Sequence, residues 1–122
     1  MAPEVAKGLP YNESVDMYSF GMIMYEMAVG EVPFRGFKKA KFMQKVVEES
    51  IRPPTDIDEY GRKIRLAGEL VDLITDSWNP NFRNRPLATN ALEILKSERV
   101  KHLQKSKTVT GMISSLFFSQ SY

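Results

Sequence analysis

Residues 14–29 constrain the fold more than any other stretch. Val15, Met17, Tyr18, Phe20, Met22, Ile23, Met24, Tyr25, Met27, Ala28 and Val29 leave almost no polar side on a helix. A helix that is apolar all round either crosses a membrane or sits inside a larger core. This one is shorter than the roughly 20 apolar residues that span a bilayer, and it carries Asp16 and Glu26. The core reading is therefore preferred. Gly30 supplies the C-terminal stop.

The flanking pattern is helical as well. Pro3, Gly8 and Pro10 make residues 1–13 a short helix or turn followed by a loop. Residues 30–37 form a loop around Pro33-Phe34. Lys38 to Ser50 reads as an amphipathic helix with Phe42, Val46 and Val47 on one side, ended by Pro53-Pro54. Thr55 to Arg65 is polar and loop-like. Leu66, Leu70, Leu73 and Ile74 then repeat at helical spacing up to Trp78. After a turn marked by Asn79-Pro80 and Asn84-Arg85-Pro86, a last helix is expected, with Pro86 in its first turn and Leu87, Ala91, Leu92 and Leu95 as its stripe. No alternating strand pattern occurs, so the predicted class is all-α.

Composition narrows the function. With 122 residues the chain has room for one domain. It has no cysteine, which removes disulfides, thiolate metal sites and cysteine nucleophiles. The single histidine, His102, stands among lysines and reads as solvated. The net charge of +2 comes from scattered basic residues, so no nucleic-acid partner is expected. The N-terminus lacks the apolar core of a signal peptide, which makes a cytoplasmic or nuclear location the default, with cytoplasmic preferred.

Four elements, in order and at matching gaps, resemble a protein kinase. Met1-Ala2-Pro3-Glu4 looks like the end of an activation segment, with Met1 an internal methionine now standing first. Val15-Asp16-Met17-Tyr18-Ser19-Phe20-Gly21 looks like the start of the large lobe's central helix. Gly30-Glu31-Val32-Pro33-Phe34 follows at the family's spacing. Leu73-Ile74 through Trp78, then Pro80 and Arg85-Pro86, resembles the last subdomain. The resemblance implies a partial kinase domain over 1–98, the helical C-terminal part of the large lobe without the β-rich small lobe. A flexible tail would follow over 99–122. Ser-Phe-Gly and the Trp…Arg-Pro ending look most like tyrosine kinases and the tyrosine-kinase-like serine/threonine kinases. The lead-in Pro10-Tyr11-Asn12-Glu13 favours the serine/threonine side.

The same resemblance assigns structural roles. Glu4 and Arg85 would form a buried ion pair, since a guanidinium fork matches a carboxylate bidentately. Asp16 would be an anchor for backbone amides of a catalytic loop that this sequence lacks, although a carboxylate in a first helical turn is favourable in its own right. Gly21 would permit close packing, and Trp78 would anchor the core. Ser19-Phe20-Gly21 is not a magnesium-binding D-F-G, because it lies within the helix and lacks the carboxylate. Asp56-Ile57-Asp58-Glu59-Tyr60-Gly61 opens like a calcium loop, yet its twelfth position is Ala67, where a glutamate is needed. The tail is basic from Lys96 to Lys107 and uncharged from Thr108 to Tyr122, where Met112, Ile113, Leu116, Phe117 and Phe118 stand among Ser114, Ser115, Ser119 and Ser121. It reads as a solvated, fraying helix end, with contact to an acidic membrane surface or a partner groove as the sharper alternative.

Phosphoryl transfer needs ATP, magnesium and the acceptor hydroxyl held together. The sequence has no Gly-rich loop, no V-A-I-K lysine, no H-R-D and no D-F-G, so no catalytic, cofactor-binding or metal residue is assigned. ATP and magnesium would belong to a full-length parent that phosphorylates protein serine or threonine, or tyrosine. The chain's own partner would be a protein substrate or the rest of a kinase domain. A non-catalytic interaction module or pseudokinase-like fragment is the alternative, and a non-functional remnant the third. The apolar central helix is expected to be wrapped by protein lying before residue 1.

Overall fold

The computed structural model describes residues 1–58 and 60–119, with the backbone alone at 108–109 and 113–119. Glu59 and the side chains of the serine-rich apolar run over 113–122 therefore lie outside the described residues. The order is α1 (Pro3–Ala6), α2 (Ser14–Val29), α3 (Lys39–Phe42) continued by a π turn (Met43–Glu48), α4 (Gly68–Ser77), a 3-10 turn (Phe82–Asn84) and α5 (Ala88–Ser119). Among the described residues there is no strand, only one isolated bridge between Ile57 and Lys63. The chain is all-α.

Helix α2 has the bounds expected of it, and Gly30 closes it in the left-handed region at φ 79°, its N–H donating to the Glu26 carbonyl. The packing centre is the α2–α4 contact. Tyr18 and Tyr25 of α2 meet Ile74, Trp78 and Ala2 in one buried cluster. Met17, Leu73 and Ala91 form a second, where α5 joins. Helix α1 packs on the π turn.

Four features qualify the sequence expectations. The first is α2, whose far side this chain leaves uncovered, in keeping with a helix to be wrapped by protein outside it: Ile23 is 54% and Met27 80% exposed. Its buried residues Met17, Tyr18, Gly21 and Tyr25 make a single face, and apolar content alone does not say whether the opposite face has a neighbour.

The second is the segment expected as one helix over 38–50. It changes hydrogen bonding after Phe42, where Glu49 N–H reaches back to the Gln44 carbonyl. The wider turn lets the adjacent Val46 and Val47 both face inward, and both are buried. The stop comes at Ser50, with φ 56°, before the prolines are reached.

The third is Pro86. It precedes α5 instead of standing in its first turn; the Leu87 carbonyl accepts the first helical bond, from Ala91 N–H. Proline nonetheless sets its predecessor, Arg85, in extended backbone.

The fourth is the tail. Helix α5 does not stop near 98 but runs to Ser119. Lys101 ties this extension to α4 through Glu69 at 3.2 Å and braces it along α5 through Glu98 at 3.3 Å. These exposed pairs contribute little stability.

Candidate structural site: the Glu4–Arg85 clasp

Chain reversal after α4 brings the two ends of the body together. Asn79 Oδ1 accepts from Asn81 N–H, and Asn81 Oδ1 from Arg83 N–H, which fixes the turn that presents Arg85. From there Arg85 Nη1 donates to Glu4 Oε1 at 2.6 Å and Nη2 to Glu4 Oε2 at 2.9 Å. Two further donors are also used: Nε bonds the Asn79 carbonyl at 2.9 Å and Nη1 the Ser14 carbonyl at 3.2 Å. Both residues are buried. Arg85 therefore fastens α1, the start of α2 and the turn after α4 to one another. The hydrogen bonds from Arg85 hold the Glu4 carboxyl below its ordinary range, against a burial effect that pushes it up.

Tyr18 lies beneath this clasp between two cations. The Arg85 guanidinium stands 5.1 Å from its ring centroid and that of Arg52 5.2 Å. Burial raises the Tyr18 phenol pKa, with the two arginines opposing. Arg52 is a second fastener, absent from the residues that the sequence motifs point to. Its Nε donates to the Trp78 carbonyl at 3.0 Å and its Nη1 to the Val46 carbonyl at 3.0 Å, joining the π turn to the end of α4. Tyr25 adds a bond from its hydroxyl to the Pro54 carbonyl at 2.8 Å and stacks at a tilt on Trp78, centroids 5.6 Å apart. No local pattern marks Arg52, since its partners are backbone carbonyls whose positions depend on how three elements dock.

Gly21 sits where α2 meets α4. A Cβ built there would stand 2.8 Å from Ser77 Cβ and 3.2 Å from the Ile74 carbonyl oxygen. Ser77 is itself fully buried, with its hydroxyl donating to the Leu73 carbonyl at 2.6 Å. Gly21→Ala gains ~0.5–1 kcal/mol of helix propensity but overpacks a rigid contact, at ~1–3 kcal/mol. The expected result is a net loss, read as a lower midpoint in urea unfolding. A higher midpoint would mean that the two helices separate freely.

Asp16 keeps its place at the start of α2. It lies in the first turn of α2, but it is exposed and its side chain makes no hydrogen bond among the described residues. Trp78 is buried at the end of α4. Glu4, Arg85, Gly21 and Trp78 thus converge on the α1–α2–α4 junction, Pro86 flanks it, and Asp16 faces away.

The protein kinase domain model matches residues 1–95. The chain belongs to the protein kinase family. It is 38% identical over 116 residues to the dual specificity protein kinase pyk3 of Dictyostelium discoideum, covering 93% of this chain and 8% of that kinase. It is 32% identical over 107 residues to the probable serine/threonine-protein kinase gdt4 of the same organism, covering 88% of this chain and 6% of the relative. With the serine/threonine/tyrosine-protein kinase HT1 of Arabidopsis thaliana it shares 32% over 96 residues, 79% of this chain and 23% of that one. The kinase chain thus spans less than a quarter of the length of each of these relatives. In kinase terms the clasp joins the Ala-Pro-Glu element to the Arg-Pro element, 81 residues apart.

Proposed function

We propose that this chain is the helical C-terminal part of a protein kinase large lobe, whose full-length parent transfers the ATP γ-phosphate to protein serine or threonine, with tyrosine as a further acceptor. By itself the chain does not bind ATP or transfer phosphate. One observation carries this reading: the bidentate Glu4–Arg85 clasp links the two motif elements of the family match, while H-R-D, D-F-G and the phosphate-binding lysine are absent from the sequence. The relatives' names, serine/threonine and dual specificity kinases, support the acceptor class. Residues 1–95 then act as a scaffold, and ATP and magnesium are handled by the parent.

The bare side of α2, with Ile23 and Met27, fits a contact with the rest of a kinase domain. Among the described residues no helix is long and apolar enough to cross a membrane. A cytoplasmic location remains part of the proposal. Calorimetry with magnesium-ATP is expected to show no saturable heat, and the in-frame coding sequence immediately upstream is expected to encode H-R-D and D-F-G. Saturable binding would sink the first statement, and upstream stop codons the second.

A non-catalytic interaction module is the second reading, and the uncovered side of α2 counts against it for a chain standing alone. A purified chain that is monomeric and unfolds cooperatively would support it; self-association through α2 would count against it.

A further inference from the structure

We propose that the outward face of α5 over residues 96–107 is a docking surface for an anionic lipid bilayer. The helix itself builds this face. Lys96, Arg99, Val100, Leu103 and Lys107 recur at intervals of three and four residues, so they share one side. All five are exposed, Val100 at 53% and Leu103 at 48%. The opposite side is occupied. Ala91, Ile94 and Leu95 pack with Leu73 of α4, and Lys101 bonds Glu69 at 3.2 Å. Helix α5 continues unbroken to Ser119, so these side chains are presented as one surface.

Charge states the chemistry of the partner. Between residues 96 and 107, Lys96, Arg99, Lys101, Lys105 and Lys107 stand against Glu98 alone. Glu98 is bonded to Lys101 at 3.3 Å. Glu93, the other acidic residue of α5, comes before the basic stretch, in the cleft that it shares with Asp72 and Asp76 of α4. A separate cleft at the start of α4 adds Arg65 and His102 to Arg99 and Lys105. Positive charge therefore continues around this part of the helix, and the surface that covers it carries negative charge.

The mixture of residues separates a bilayer from a protein groove. A groove that takes a helix needs apolar anchors at i, i+3 or i+4, and i+7. On this face Lys96, Arg99 and Lys107 hold such positions between and beside Val100 and Leu103. Buried in a groove, these cations would lose their hydration. At a lipid surface their aliphatic stems lie along the apolar boundary while the charged ends reach the headgroups. Thr108 to Tyr122 then follow without a charged side chain, and Met112 is 63% exposed. A basic stretch together with apolar side chains supplies the two signals that stable surface binding takes.

The test sediments the whole chain with vesicles of phosphatidylcholine alone, or of phosphatidylcholine and phosphatidylserine in equal parts. The chain is expected to pellet with the mixed vesicles and to stay in solution with phosphatidylcholine. Raising the salt from about 0.1 M to about 1 M should release most of it, as the screening length falls from ~10 to ~3 Å. Lys96→Gln, Arg99→Gln and Lys107→Gln together should weaken binding on the order of a hundredfold, about fivefold for each cation. Val100→Gln with Leu103→Gln, which leaves every charge in place, should weaken it about tenfold. All five positions face away from α4, so far-UV circular dichroism should stay unchanged in both variants. Equal pelleting with the two kinds of vesicle, undiminished binding of either variant, or a chain that stays in solution with the mixed vesicles would each overturn the proposal. So would capture by polyglutamate beads in preference to the mixed vesicles, which would assign the face to an acidic protein. The proposal rests on α5 alone and is separate from the kinase reading.

Discussion

Arg85→Ala should cost the chain about 3–5 kcal/mol, as breaking a buried ion pair does. That is a large share of the ~5–15 kcal/mol that holds a typical domain together. The loss exceeds that of one ordinary hydrogen bond because Glu4 stays behind, buried and without its counter-charge. Ser14 and Asn79 lose the donors to their carbonyls as well. Glu4→Ala should cost a comparable amount, and the double variant should cost clearly less than the sum of the two, because the interaction is shared. Additive losses in denaturant titrations would show that the two residues act separately. Arg85→Lys should remain well below wild type, since an ammonium cannot reproduce the planar fork at 2.6 and 2.9 Å.

The clasp also sets an acid response. Arg85 lowers the folded-state pKa of Glu4 below its ordinary 4.5. A lowered carboxylate pKa contributes stability that is fully present above the unfolded value and is lost as pH falls through the folded one. Stability should therefore drop on acidification below about 4.5, the unfolded-state value. The Glu4→Ala variant should lose this share of the drop. If both chains follow the same acid profile, Glu4 is not the group responsible.

Trp78→Ala should cost a further ~3–5 kcal/mol. Its indole is 3% exposed and fills the junction of α2 and α4 beside Tyr25. Removing it leaves a cavity lined by Tyr25 and Ile74. These are held in turn by the Tyr25–Pro54 bond and by α4 itself, so the site has little freedom to collapse. Trp78 is the chain's single tryptophan, so far-UV circular dichroism is the readout instead of fluorescence. Met27→Ala serves as the reference: that side chain is 80% exposed, and its loss should stay within about 0.5 kcal/mol. Equal effects at the two positions would contradict the placement of the core on the Tyr18–Tyr25 face of α2.

Local order is the part legible in the sequence. The bounds of Ser14–Val29 follow from its own residues, because a predominantly apolar run ended by glycine is a signal confined to chain neighbours. The all-α class follows from helical spacing in the same way, and the Ala-Pro-Glu and Arg-Pro motifs are enough to name Glu4 and Arg85 as partners. Other features depend on which elements dock. Arg52 finds its role only when the carbonyls of Val46 and Trp78 arrive beside it. Asp16 matches the motif of an anchor and is exposed, because burial of an end-of-helix carboxylate depends on a neighbour and not on the helix. The π turn at 43–48 and the run of α5 to Ser119 are likewise illegible from period alone. Periodicity and capping act over a few residues, so the sequence carries them directly. Contacts across 26 or 81 residues, such as Arg52 to Trp78 and Arg85 to Glu4, become fixed only when helices pack.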